Sequence, residues 1–376
     1  MGGLSEDELI TAAQALLSRR LPLGWSAELQ PGLPGQPNTP VAPDLIIRSQ
    51  RAGSQSSVLL EAKREFAPRD VQALTGSPLL RRLRDRAGQT PIMVIAPYLS
   101  PRTRHLLAGQ GISSLDLTGN VWIHLDFPGL FIETQGAQRD PAGGTRQRGL
   151  RGAKAGAVAR VLIDARPPYT GVQISRAARV NEGYASRILE TLIDEGLIQR
   201  SERSRISDVD WPALIRRRAL ALTLFRPVGA YRYVARNGPR QTLRDLAGLT
   251  RSDDKRPPVV TGSFAAERLA VVAPPTQLVV YTMDRQRLAQ DLGLFEVDSG
   301  ADVILIRPEN DIVYTNARTA KDSVRYAAPS QVAIDCLAGT GRMPAEGEAA
   351  VDWMQQNESL WRTSLDELIG ARRDIG

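Results

Sequence analysis

The sequence predicts a multidomain α/β protein, and three observations carry that prediction. The chain has 376 residues, more than one hydrophobic core usually supports, so two or three domains are expected. Both ends alternate short apolar runs of strand length with stretches of helical periodicity, the pattern of mixed sheets flanked by helices. The middle carries three helical patterns in quick succession, set in the most basic part of the chain.

In the first segment, residues 1–134, the stretch 5–19 places Leu9, Ile10, Ala13, Leu16 and Leu17 on one helical face, with Ser5 as cap and Glu8 three residues on. Apolar runs at 45–47, 58–60, 92–96 and 121–125 read as strands, and 68–86 and 100–109 as helices between them. The expected order is αβββαβαββ. Thr118-Gly119-Asn120 is a hairpin turn between two short strands; Asp116 and Asn120 serve that turn, or line the same edge as the carboxylates discussed below.

Residues 135–156 are Gly, Arg, Gln and Pro with almost nothing apolar, and Arg139, Arg146, Arg148, Arg151 and Lys154 make this a basic linker. In the next segment, 157–207, Val158, Val161 and Leu162 form the stripe of a first helix and 172–178 a short second one. A turn at 180–183 then opens a third helix, with Ala185, Ile188, Leu189, Leu192 and Ile193 on one face and Tyr184, Arg187 and Thr191 on the other. Gly196 suits a left-handed helix end, and a short strand pair follows. The last segment, 208–376, begins with helix and becomes α/β, with strands expected at 277–283, 301–307 and 312–315 and helices at 284–292, 329–338 and 346–360.

Charge and cysteine content narrow the function classes. Between Gln135 and Arg205 thirteen Arg and Lys face seven Asp and Glu, so six of the seven net positive charges fall there, which suits a polyanionic partner. One cysteine, Cys336, and two histidines in the chain exclude an internal disulfide and a Cys/His zinc site, and a reducing cytoplasm is the expected compartment. The acidic start is no signal peptide, and no apolar run approaches the roughly 20 residues of a membrane span.

The string ISRAARVNEGYASRILETLIDEGLIQR, 174–200, resembles the winged helix-turn-helix of bacterial transcriptional regulators. In that motif the third helix enters the major groove and the wing lies on the backbone. The resemblance implies base and phosphate contacts from Asn181, Tyr184, Ser186 and Arg187, and phosphate contacts from Arg200, Arg203 and Arg205 on the wing. A winged-helix module used for protein contact is the alternative.

PDLIIRSQRAGSQSSVLLEAKRE, 43–65, resembles the PD-(D/E)xK nuclease superfamily with its restriction-endonuclease-like α/β fold. The resemblance implies Mg²⁺ held by Asp44, Glu61 and the Ala62 carbonyl, with Lys63 stabilising charge or orienting a water. A further carboxylate is expected on the first helix, Glu6 or Glu8. The Gln-and-Tyr signature of one nuclease branch is half present, with Gln72 and no following Tyr. Catalysis is a separate question from the fold.

In the last segment, Thr261-Gly262-Ser263 with Ala265-Ala266, and Pro329-Ser330-Gln331 leading to Asp335, Arg342 and Glu348-Ala349-Ala350, resemble the C-terminal region of AbiEi-type antitoxins of type IV toxin–antitoxin systems. This resemblance implies a DNA-binding repressor that counteracts a nucleotidyltransferase toxin without stable contact. The chain departs from shorter members of that family by its front domain and central winged helix. A regulator binding double-stranded DNA as a homodimer, with no cofactor required for binding, is therefore the favoured expectation. A Mg²⁺-dependent nuclease of a defence or mobile-element system is the alternative, and a protein-binding scaffold a third.

Overall fold

The computed structural model describes residues 5–29, 45–50, 53–76, 91–138, 140–141, 150–201, 205–225, 229–249 and 256–373. Two compact units emerge: one of residues 1–146, to which 194–196 are also assigned, and one of residues 147–193 with 197–376.

In the first unit α1 (Glu6–Ser18) begins as its sequence requires. The Ser5 hydroxyl accepts from the Glu8 N–H (3.2 Å) and the Glu8 carboxylate from the Ser5 N–H (2.7 Å), while Glu6, Asp7 and Glu8 complement the helix dipole. Then follow β1 (Trp25–Leu29), β2 (Leu45–Ser49), β3 (Ser54–Ala62), α2 (Pro68–Gly76), β4 (Ile92–Ala96), α3 (Pro101–Gly109), β5 (Ser113–Asp116), β6 (Val121–Leu125) and β7 (Leu130–Thr134).

The seven strands form one sheet in sequence order. Its ends are antiparallel, and β3, β4 and β5 are parallel at its centre. Alternation along the strands builds two cores. Leu45, Val58, Ala62, Met93 and Ile95 pack with Leu9, Ala13 and Leu17 of α1, whereas Leu59, Val94 and Ala96 pack with Val71 of α2 and Leu107 of α3. The sequence reading missed β7. The expected helix over 68–86 runs to Gly76, and its remainder lies outside the described residues.

The second unit opens with α4 (Ala153–Asp164), α5 (Gly171–Ala178) and α6 (Glu182–Asp194). The antiparallel ribbon β8 (Ile198–Arg200) and β9 (Ile206–Val209) follows, with Ile198 opposite Val209. Helix starts inside the stretch read as linker, at Ala153, because Ala155, Val158 and Ala159 are completely buried; Arg139, Arg146 and Arg148 lie outside the described residues. Thr170 and Gln173 cap α5 reciprocally. Gly196 takes φ +63°, the left-handed conformation expected of it, and the Leu197 N–H returns to the Leu192 carbonyl (2.8 Å).

The chain continues through α7 (Trp211–Ala219), β10 (Ala230–Ala235), α8 (Pro239–Ala247), β11 (Val259–Thr261), α9 (Ser263–Ala266), β12 (Leu278–Tyr281), α10 (Arg285–Asp291), β13 (Leu294–Glu296) and β14 (Val303–Ile306). It ends with β15 (Arg318–Thr319), β16 (Arg325–Tyr326), α11 (Pro329–Leu337), α12 (Met343–Gln356), α13 (Glu358–Trp361) and α14 (Leu365–Arg373). The second sheet runs β13-β10-β14-β12-β11-β16-β15 and is mixed.

Residues 312–315, expected as a strand, instead lie mostly in a 3₁₀ turn, Asp311–Tyr314. The Asn310 side chain accepts from the Ile312 N–H (2.9 Å) and starts the turn, and Val313 and Tyr314 are buried by it rather than by strand pairing.

One apolar cluster joins the helices of 153–219 to the end of the chain. Val158, Val161, Leu162, Ile188, Leu192 and Leu214 share it with Ala333, Ile334, Val351, Met354, Trp361 and Leu368. Segments 157–207 and 208–376 thus bury a common core.

Candidate nucleic-acid interface

The side chains that the sequence assigns to α6 divide as its periodicity requires. Ala185, Ile188, Leu189 and Leu192 are buried, while Asn181, Ser186 and Arg187 are exposed. Tyr184 is half-buried and packs on the helical core, so its ring spans the boundary. The Arg187 guanidinium stands 5.9 Å from the Tyr184 ring centroid and donates to the Gly183 carbonyl (3.2 Å). Asn181 holds the helix start: its side-chain oxygen accepts from the Tyr184 N–H (2.7 Å), which occupies the carbonyl end of its amide.

On the ribbon, Arg200 pairs with Glu190 of α6 (2.9 Å). Arg205 is exposed, and its carbonyl accepts from the Ser201 N–H (2.8 Å). Arg203 lies outside the described residues. The exposed side of α6 also carries Glu182 and Glu190, so its charge is mixed and Arg187 is its cation.

In the first unit, Glu61 and Lys63 share the edge at the end of β3, with the Lys63 ammonium 3.0 Å from the Glu61 carboxylate. That hydrogen bond, with the attraction of the same carboxylate, raises the Lys63 pKa, and the charges of Glu6 and Asp70 act in the same direction. Glu6 of α1 is therefore within electrostatic reach of this edge. Glu8 is committed to its cap, and its bonds to Ser5 lower its pKa.

The N–H groups of Leu59 and Lys63 bond to Pro91 and Ile95 beside β4 (both 2.9 Å). By the alternation of a strand, the Ala62 carbonyl points the other way, to the β2 side. Asp44 lies outside the described residues; its neighbour Leu45 pairs with Val58, three residues before Glu61. Among the described residues no three His, Cys, Asp or Glu side chains group as a metal site would need.

Asp116 serves the turn. One carboxylate oxygen accepts from the Thr118 N–H (2.9 Å), the Thr118 hydroxyl (2.6 Å) and the Asn120 N–H (3.2 Å). The other accepts from the Leu99 N–H (3.1 Å) and the Asn120 amide (2.8 Å). Turn chemistry occupies both oxygens.

Of the residues singled out in the last segment, Thr261, Ser330, Gln331 and Asp335 meet in a buried polar network, Ser263 and Arg342 meet at Glu346, and Glu348 instead pairs with Arg216 of α7 (2.6 Å). Asp335 accepts from the Thr261 hydroxyl (2.7 Å), the Tyr281 hydroxyl (3.1 Å) and the Gln331 amide (2.8 Å). The Gln331 oxygen accepts from Arg160 of α4 (2.6 Å), which pairs with Asp164 (2.8 Å), and Asp164 accepts from the Ser330 hydroxyl (2.5 Å). Ser263 donates to Glu346 (2.5 Å), which pairs with Arg342 (3.3 Å).

Burial raises the Asp335 pKa to about 6, against the lowering effect of its three donors; burial and the neighbouring Asp335 raise that of Tyr281. Gly262, which joins β11 to α9, lets the chain pass close to β12 and α12. At φ +65° and ψ −151° it is in a region open essentially to glycine, and a Cβ there would meet Val279 (3.1 Å) and Met343 (3.2 Å). Sequence reasoning missed Arg160, Asp164 and Tyr281. The available signal was an Arg and an Asp four residues apart inside the otherwise apolar run AVARVLID.

No protein-family model matches the chain, and no match emerges among curated proteins. Among solved structures the chain is similar to the polyadenylate synthase of Megavirus at 10% identity, with a TM-score of 0.23, over 59% of this chain and 45% of that one. A likeness this low carries no argument about fold or function. Among the described residues no helix is long and apolar enough to cross a membrane.

Proposed function

We propose that this protein is a transcription regulator that binds duplex DNA through a winged helix-turn-helix formed by α4, α5, α6 and the β8–β9 ribbon. The observation that supports it most is the outer side of α6, where Ser186 and Arg187 are exposed in the register a groove-reading helix needs while the opposite side fills the core. In this reading Arg187 contacts a base edge or a phosphate, Ser186 and Tyr184 flank it, and Arg205 meets the backbone. Arg200 contributes after leaving Glu190 or through that pair. Asn181 positions the helix as its cap and has its amide N–H groups for the DNA. AbiEi-like repression, by a homodimer on a two-fold operator, is the form of regulation this reading favours.

A titration of a duplex carrying the chain's own promoter, repeated over a salt series, tests it. Binding should weaken steeply with salt, and Arg187→Ala should weaken it further. Affinity that ignores salt would remove the DNA reading.

The Glu61–Lys63 edge with Glu6 in reach favours a second reading, a PD-(D/E)xK nuclease on a restriction-endonuclease-like fold. Glu61 and the Ala62 carbonyl, with Asp44, are oxygen donors suited to Mg²⁺, which when bound would supply Lewis-acid chemistry at a phosphate. Lys63, released from Glu61, would stabilise the charge that develops. Plasmid hydrolysis that needs Mg²⁺ and disappears in both Asp44→Ala and Lys63→Ala would establish this reading; intact plasmid would dismiss it.

A further inference from the structure

A cleft of about 710 Å³ opens in the second unit between the α4–α5 connection and the helices α13 and α14, and none of the proposed DNA contacts lines it. The volume is in the range of small-molecule sites. Arg166, Tyr169 and Gln173 line one side, Thr363 and Ser364 the other, and Arg318 of β15 enters at the rim.

Two guanidiniums are brought to the same place. Arg166 donates to the Glu358 carbonyl (3.4 Å) and Arg318 to the Leu360 carbonyl (3.3 Å), acceptors two residues apart on α13. Each bond is long and uses one of five guanidinium donors. Like charges converge there, and the acidic groups close by are largely committed. Glu358 pairs with Arg362 (2.8 Å), and Glu367 accepts from the Ser364 N–H (2.9 Å) while facing Arg166. Asp366 is exposed on the rim. Arg318 has no carboxylate in ion-pair range among the described residues.

We propose that this cleft is an effector site for a small anion bearing phosphate or carboxylate oxygens, held between Arg166 and Arg318. Planar guanidinium forks match such oxygens two bonds at a time, and Gln173, Thr363 and Ser364 supply neutral polar contacts. Because one wall belongs to α5 and its approach, an anion would reinforce the backbone bonds that already join the two walls, Arg166 N–H to the Thr363 carbonyl (2.8 Å) and Thr363 N–H to the Asp164 carbonyl (3.0 Å). The effector role rests on the proposed DNA reading, and the binding itself does not.

Calorimetric titration of the full chain with inorganic pyrophosphate and, separately, with citrate tests the site, at ionic strength held constant with chloride. Saturable binding at or below about 1 mM is expected for one of them, and which one identifies the oxygen source. Arg318→Ala and Arg166→Ala should each weaken it about tenfold, and Arg318→Lys, which keeps the charge without the fork, by less. An unchanged circular-dichroism spectrum confirms that the variants fold. Arg187→Ala should bind the anion like wild type, which separates the cleft from the DNA face. The proposal fails if neither anion saturates, if the cleft variants bind as well as wild type, or if Arg187→Ala alone abolishes binding.

Discussion

Replacing Asp335 by Asn should cancel a pH dependence of stability that can be worked out in advance. Asp335 is 1% exposed, and burial moves its pKa from 3.8 to about 6. The folded chain therefore holds this proton more tightly than the unfolded chain. Between pH 3.8 and 6 the native state binds more protons, so this group's contribution to stability falls as pH rises, and levels off above 6. A shift of roughly two units corresponds to about 3 kcal/mol.

Asp335→Asn keeps the shape and stays neutral at every pH. The Thr261 and Tyr281 hydroxyls can turn to accept from the new amide, while the Gln331 amide keeps its bond to the remaining oxygen. Relative to wild type, the variant should therefore gain about 2 kcal/mol between pH 4 and pH 7, the rest of the 3 being lost already below pH 4, whatever its offset at pH 4. Urea unfolding at several pH values, read through tryptophan fluorescence, measures that difference. Trp211, Trp353 and Trp361 report on the second unit. A difference that stays flat with pH would refute the argument, and one of opposite slope would mean that the three donors outweigh burial.

Three further outcomes are expected. Arg187→Ala should cost about 1–3 kcal/mol of DNA affinity if it reads a base, or lower the salt slope by about 1 if it meets a phosphate, and a salt-series titration separates the two. Asp164→Ala leaves the Arg160 charge buried without its carboxylate and should cost about 3–5 kcal/mol in denaturant unfolding; a loss below about 1 kcal/mol would mean that the pair is dispensable. Gly262→Ala should cost about 1–3 kcal/mol from backbone strain alone, more if Val279 and Met343 hold their places, and a melting temperature equal to wild type would contradict the strain.

Much of the helical middle was legible because its periodicity is local. Ala185, Ile188, Leu189 and Leu192 repeat at helical spacing, and burial follows them residue for residue. Strand β4 was legible too, since Ile92–Ala96 is apolar on both faces, as a strand covered on both sides must be, whereas its parallel pairing with β3 and β5 was not. Strands β11 and β13 were not, because three residues carry no period to detect. Residues 312–315 were misread because an apolar run does not say whether a cap such as Asn310 will turn it into a helix.

The network was half legible. Thr261, Ser263, Gln331 and Asp335 stood out through a resemblance, but their partner Arg160 lies 171 residues before Gln331 and no spacing rule joins them. In the first unit, Glu61 and Lys63 meet through local strand alternation, whereas the approach of Glu6 depends on where α1 packs.

The common core of the second unit has a consequence for synthesis. The apolar sides of α4, α6 and α7 are complete at residue 219, yet the side chains that cover them arrive between Ala333 and Leu368. At about 5–20 residues per second a ribosome takes several seconds to tens of seconds to deliver them. Throughout that interval the three helices await their cover, so a nascent chain halted near residue 330 should be caught by chaperones or proteases, and one released after Leu368 should not.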